Sequence, residues 1–552
     1  MRNPSILLVC AAALACDDVP NVVATLPAPA VTCTPASALQ LSVGDIRTLT
    51  RAQIASLCVG GLGTASEYVM ISFNNSNVAA STTELQLTSV GTIAVAMPAT
   101  GNPIGIPRPP VDTVEMAFTR RAGNDVGGAA FAARARVARA ARARQQASQF
   151  ANIPSNPMVG SVVQLNANLV GNTCTGTPVL HPARVVAVLQ NTIIFLDTLS
   201  PPGGYTDEEL VSLSTTFDTL GYGIATTNFG AATDIDGNGR VAILFTPSVN
   251  AVGALGVFAP RDLFPATEDG CPESNEGEMF YMPVPDPGET INGDFTSKAQ
   301  LSRTVNATLI HELQHVISFG RRLFVNNAPD FQEVWLEEGM SHIAEELLYF
   351  ATSGNAPLQN IDDARIRSSQ AQLDAFNTDQ IDNFRFLSTY LAMPESHSPF
   401  ADDDELETRG AIWQLLRYGA DQKGGNQRDT WFALVNSTTS GQASFNEVFG
   451  DIINVTRTWA IAQFTDDAGL EVPPLFTSPS WNYRSVFTGL FSGFPLETHS
   501  LVAGTTVQLA LVGGGASYVR FGISAGVAAS VRTMSANREP PSNIEMVLVR
   551  TK

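Results

Sequence analysis

The sequence predicts a multidomain α+β protein, in which a mixed strand-and-helix core is flanked by an N-terminal and a C-terminal β-sandwich. Three observations predict it. Alternation of apolar and polar residues with period two recurs near both ends of the 552-residue chain. Strand patterns give way to long helical ones between about residue 298 and about residue 465. The composition is 44% hydrophobic and only 15% charged, which suits chains that bury cores and excludes a disordered acidic tail. The net charge of −20 repels phosphate backbones, so a general nucleic-acid binder is excluded as well. No uninterrupted apolar run of about 18 residues follows residue 16, so no transmembrane helix is expected.

At the N-terminus, Arg2 precedes an apolar run from Ile6 to Ala15, which ends at Cys16. The run is too short for a permanent span and reads as a secretory signal over residues 1–16. Its last four residues, Ala13-Leu14-Ala15-Cys16, resemble the lipobox of bacterial lipoproteins. That resemblance implies cleavage before Cys16, a lipid anchor on it and no other contact with a membrane. Ordinary cleavage and secretion is the alternative. Beyond the signal stand Cys33, Cys58, Cys174 and Cys271. An even number in an exported chain suggests disulfides, and the local pairings are Cys33–Cys58 and Cys174–Cys271.

Residues 17–115 alternate in LQLSV (39–43, with the Leu39, Leu41, Val43 face), YVMISF (68–73) and ELQLTSV (84–90), with turn residues between them. They read as a small sandwich that resembles bacterial immunoglobulin-like domains. Residues 116–157 change character: Arg134, Arg136, Arg139, Arg142 and Arg144 sit among alanines, both strong helix formers. This is a helix, read as a connector or as a prosegment packing on an acidic neighbour. Residues 158–480 mix strands such as VVAVLQNTIIFLDT (185–198) and VAILFT (241–246) with helices, one of which opens on a Thr206/Glu209 capping box. Residues 481–552 return to alternation and read as a second sandwich.

The chemistry concentrates in VNATLIHELQHVISFG (305–320). On a helix, His311 and His315 project from one face about 6 Å apart. Two neutral imidazoles at that spacing can hold one Zn²⁺ at about 2.0–2.1 Å. Glu312 lies beside the metal's open position, where it can take a proton from a water. The metzincin third ligand is excluded, because Ser318 and Arg321 stand where that pattern needs Gly and His. A second helical stretch, FQEVWLEEGMSHIAEELLYF (331–350), offers Glu333, Glu337, Glu338 and Glu345. Within it WLEEG resembles the WLxEG motif of gluzincin peptidases, which implies Glu338 as the third ligand, 23 residues after His315. The other three glutamates remain alternatives. Gly339 inside this helix suggests close approach of a neighbour.

With these motifs in order, the chain resembles the hyicolysin-type zinc metallopeptidases. The likeness runs through TIIFLDT, NFG with DIDGNGRVAILFT, GVFAPRDLF, SNEGEMFYM, HELQH, WLEEGMSHIAEEL and RGAIWQLLRYGADQKGG. It implies a thermolysin-like core and a zinc endopeptidase acting on proteins or peptides. The group that holds the developing oxyanion stays open among Arg409, Tyr418, Tyr390 and His397, and His342 reads as a partner of the ligands or as a core histidine. Asp234, Asp236 and Asn238 match the first half of a calcium loop, but Phe245 stands at its twelfth position; a tight turn and a calcium site completed by distant oxygens are the two readings. The functional alternative is a surface adhesion or binding lipoprotein whose peptidase core is vestigial or latent.

Overall fold

Strands from the two ends of the chain interleave. The structure, a computed structural model, describes residues 33–61, 63–95, 128–145, 153–170, 174–536 and 539–552; the expected signal segment with Cys16 lies outside them. One sheet runs Ile46–Thr48, Ile544–Arg550, Ser66–Asn74, Ala516–Ile523, His499–Ser500. The other runs Thr506–Leu511, Thr83–Val90, Ala528–Met534, Leu57–Gly60. Ser72 is paired with Ser517 on one side and with Met546 on the other. Alternate residues such as Leu85, Leu87, Leu509, Leu511 and Val531 point into one shared core.

The expectation of two separate sandwiches is therefore corrected to one. Alternation identifies which residues are strands and which face is buried, but it carries no information about partners. Taken alone, each terminal segment would leave long strand edges unpaired, and pairing across the chain ends removes them. The expected boundary at 481 is corrected too. Trp481 donates its indole N–H to Glu346 Oε1 at 2.7 Å, and the helix Tyr483–Leu490 packs in the central core, so the returning strands begin only at His499. The cysteines are paired as Cys33–Cys58 and Cys174–Cys271.

The central region holds a six-stranded sheet in the order Val162–Asn166, Leu180–Val188, Thr192–Asp197, Val241–Phe245, Met279–Met282, Val257–Phe258. Its three middle strands are parallel, and the last, Val257–Phe258, is an antiparallel edge. The Thr206/Glu209 capping box forms: the Thr206 hydroxyl accepts from the Glu209 N–H, and the Glu209 carboxylate accepts from the Thr206 N–H. Beyond the sheet lie the motif helix Lys298–Gly320, the carboxylate helix Val334–Ser353 and the helices Ile381–Leu391 and Leu406–Lys423. Among the described residues no helix is long and apolar enough to cross a membrane.

The Ala/Arg-rich segment is a helix over Gly128–Gln145. It docks on the central region mainly through carbonyls rather than acidic side chains. Arg139 donates to the Leu323 and Ala328 carbonyls at 2.7 and 3.0 Å, and Arg142 to that of Thr233 at 2.6 Å. Its apolar anchor is Phe131, fully buried and edge-on to Phe331 at 4.7 Å. The Leu323 carbonyl belongs to the helical turn that extends the motif helix, where the helix dipole favours cations.

The sandwich meets the helical region at residues 391–395, where Glu497 N–H donates to the Leu391 carbonyl and Val512 N–H to that of Glu395. There His499 Nε2 lies 3.0 Å from Glu395 Oε2. The hydrogen bond to Glu395 raises the His499 pKa, and partial burial opposes it. A raised histidine stabilises the fold fully below its unfolded value near 6.5 and loses that contribution as pH rises through the folded value. The unfolding midpoint of His499→Gln should therefore trail the parent most near pH 5–6, by an amount equivalent to at most about 1 kcal/mol, and converge with it above pH 8. Calorimetry across that range checks this, and a gap that widened with pH would refute it.

Candidate metal centre

The motif helix is buried on all sides from Leu309 to Gly320, which explains its run of apolar residues around HELQH. The carboxylate helix crosses it, and their contact brings together His311, His315 and Glu338. His311 Nε2 lies 3.5 Å from Glu338 Oε2, and His315 Nε2 lies 3.5 Å from Glu338 Oε1. Donors about 2.0–2.1 Å from a tetrahedral ion sit about 3.4 Å from each other, so this triangle fits a metal of zinc's size and preferences. All three residues are at most 4% exposed.

The other ring nitrogens meet two of the competing glutamates. His311 Nδ1 is 2.7 Å from Glu345 Oε1, and His315 Nδ1 is 3.3 Å from Glu337 Oε1. Glu337 in turn accepts from the Ser318 hydroxyl at 2.7 Å. A carboxylate on Nδ1 fixes the tautomer that leaves Nε2 ready for a metal. Glu337 and Glu345 thus orient the histidines from the Nδ1 side, while Glu338 faces both Nε2 atoms. Burial pushes the Glu345 carboxyl up, but His342 and His311 beside it outweigh that and hold it at about 2. A second donor set, His311 with His342 and Glu345, also lies within 4.8 Å. It shares His311, whose Nδ1 already meets Glu345, and omits His315. Glu333 is elsewhere: it stands before the first turn of the carboxylate helix and accepts from the Trp335 indole at 2.7 Å.

Glu312 is fully buried against the edge strand. A methyl group on Gly256 would lie 2.5 Å from Glu312 Oε1, so only glycine lets the chain before Val257 pass this carboxylate. Phe258 stacks on the His315 ring, centroids 6.3 Å apart. Sequence reasoning missed Gly256 and Phe258. A two-residue strand has no detectable alternation, and GVF alone signals nothing.

The remaining candidates divide. Arg409 enters the site, but onto the carboxylate: its Nη1 is 3.0 Å from Glu338 Oε2 and its Nε donates to Asp404 Oδ1 at 2.9 Å. Tyr418 does not enter. It follows Arg409 by nine residues, two and a half turns, and so points the opposite way, donating to the Leu475 carbonyl at 2.6 Å. Tyr390 is buried on Trp459, centroids 5.5 Å apart. His397 lies 3.8 Å from Glu405. His342 sits edge-on to His311 at 5.1 Å with Nδ1 3.2 Å from Glu345, a partner of the group that orients His311. The Asp234–Asn238 loop closes on itself. Asp234 accepts from Gly239 N–H at 2.8 Å, Asp236 from Asn238 N–H at 3.1 Å and Asn238 from Arg240 N–H at 2.6 Å, the bonding of a tight turn.

Comparison with known proteins adds one relative. No family model matches the chain. Over 148 residues, 26% of this chain, it is 30% identical to the neutral metalloprotease ShpI of Staphylococcus hyicus. That match supports a metallopeptidase relationship. The matched stretch spans 31% of the length of that relative, so the likeness concerns a part of each protein.

The Arg409 contact yields a test. Removing one partner from a buried ion pair costs about 3–5 kcal/mol, because the other charge is left uncompensated. Arg409→Met should lower the unfolding midpoint of the metal-free protein by an amount of that order. With a divalent metal added the loss should shrink, because a second cation then neutralises Glu338. Thermal scans with and without chelator measure both, and an equal loss in the two states would argue against Glu338 as a ligand.

Proposed function

We propose that the chain is an exported zinc-dependent endopeptidase that hydrolyses peptide bonds in proteins or peptides. The observation that carries this reading is the triangle of His311, His315 and Glu338 with Glu312 beside it, on a helix pair whose second residues, Glu337 and Glu345, orient both imidazoles. The partial likeness to a neutral metalloprotease and the two disulfides, which form in oxidising compartments, support it. Lipid attachment at Cys16 belongs to the same proposal.

A zinc ion held by His311, His315 and Glu338 would supply Lewis acidity, lowering the pKa of a water and polarising the scissile carbonyl. The protein's own part is proton transfer and positioning. Glu312 takes the proton from the attacking water and passes it to the leaving amine. The edge strand Val257–Phe258 borders Glu312 and His315, so an extended substrate can lie along it through main-chain hydrogen bonds. Arg409 holds the outer face of Glu338 and balances its charge.

The deciding experiment is casein cleavage by the purified protein with zinc or a chelator, beside Glu312→Gln. The variant should bind zinc as the parent does and lose cleavage by about 10²–10⁴-fold, the usual worth of a general base. Proteolysis that persists in the variant, or in the presence of the chelator, contradicts the mechanism.

A further inference from the structure

Between the Ala/Arg-rich helix Gly128–Gln145 and the central region lies a pocket of about 270 Å³. The helix lines it with Val137, Ala138 and Ala141, and the central region with Leu263, Phe264 and Phe324. Packed elements leave few gaps larger than a water molecule, and here the short alanine side chains leave one unfilled. A mainly apolar pocket with a few polar groups is the usual form of a small-molecule site. The charged groups in its wall are two guanidiniums, of Arg142 and Arg144, against one carboxylate, that of Glu276, which accepts from the Ala266 N–H at 2.8 Å. This excess of cations stands in a chain whose net charge is −20. Arg142 has no acidic partner among the described residues. Its Nη2 donates to the Thr233 carbonyl at 2.6 Å, its guanidinium lies over the Phe324 ring at 5.1 Å, and its Nη1 is buried with no acceptor. A buried donor left unmatched is costly, and a carboxylate supplies both the missing acceptor and the missing charge.

We propose that this pocket binds a medium-chain fatty acid, with its carboxylate at Arg142 and its acyl chain along the apolar walls. At about 30 Å³ per heavy atom, the share of a molecule in liquid water, the space holds roughly eight to ten carbons. An acyl chain suits the walls better than a peptide does. Thr267 is the only uncharged polar side chain in the lining, so the successive amides of a peptide would find few partners. Phe324 belongs to the turn Arg321–Val325 that continues the motif helix, so the ligand pins the Ala/Arg-rich helix to the end of that helix. The site is separate from the His311/His315/Glu338 centre and does not rest on the peptidase reading.

The test is calorimetric titration of the full chain with sodium hexanoate, octanoate and decanoate below their micelle-forming concentrations. One equivalent should bind, tightening about fourfold for each added methylene as the walls are covered. Arg142→Met should weaken decanoate by about tenfold or more, the usual worth of a charged hydrogen bond, and leave decanol unchanged. Ala141→Leu, which fills the pocket with another strong helix former, should abolish binding of both. A far-ultraviolet spectrum and a thermal scan verify that each variant is folded. N-acetylleucine, with octanoate's carbon count and charge but an amide in its chain, should bind more weakly than octanoate. Failure of decanoate to bind the parent overturns the proposal, and so does binding that both folded variants retain, which marks a detergent-like contact elsewhere. Decanol bound as tightly as decanoate overturns the assignment of a carboxylate to Arg142. N-acetylleucine bound more tightly than octanoate overturns the acyl chain in favour of a peptide terminus.

Discussion

The closeness of the Leu406–Lys423 helix to the carboxylate helix at Gly339 governs the whole centre. A methyl group at Gly339 would lie 2.6 Å from Ile412 Cγ1 and 2.9 Å from Leu416 Cδ1. The missing side chain lets the two helices touch, and the touch carries Arg409 to within 3.0 Å of Glu338. That cation lies on Glu338 in a buried region that also holds Glu312, Glu337 and Glu345, where uncompensated carboxylates are costly. The glycine costs the isolated helix about 1 kcal/mol, a small amount beside the electrostatic problem its neighbour relieves.

The arrangement of the histidines follows from the same helix pair. Each imidazole is gripped at Nδ1 by a glutamate of the carboxylate helix, and each presents Nε2 to the glutamate between those two. Positions 337, 338 and 345 lie on the side of one helix that faces the other, so a single packing interface delivers both the carboxylate at the Nε2 atoms and those at the Nδ1 atoms. The edge strand adds Phe258 behind His315 and leaves room for Glu312 at Gly256.

The sandwich imposes a different constraint. Strands at 66–90 pair with strands at 506–550, across more than four hundred intervening residues. Such contacts carry a loop-closure cost that local pairings do not. The finished sandwich is then braced against the helical region, with Tyr518 donating to the Ala460 carbonyl at 2.8 Å and packing on Phe464. Chain ends knitted in this way tie the first described strands to the last.

Local pattern determined much of this protein. HELQH placed His311 and His315 on one face with Glu312 beside them because residues four apart on a helix share a side, a matter of helical pitch alone. Thr206 and Glu209 specified their capping box for the same local reason, and the alternation at both ends identified strands and their buried sides. Tertiary structure decided everything that depends on partners. Four glutamates stood within thirteen residues, and only the crossing of two helices separated the one facing both Nε2 atoms from the two behind the rings. Tyr418 and Arg409 shared one helix, and its packing sent them to opposite sides. The terminal strands formed one sandwich rather than two, because strand periodicity specifies a face and leaves the neighbour to whichever edge the rest of the chain brings near.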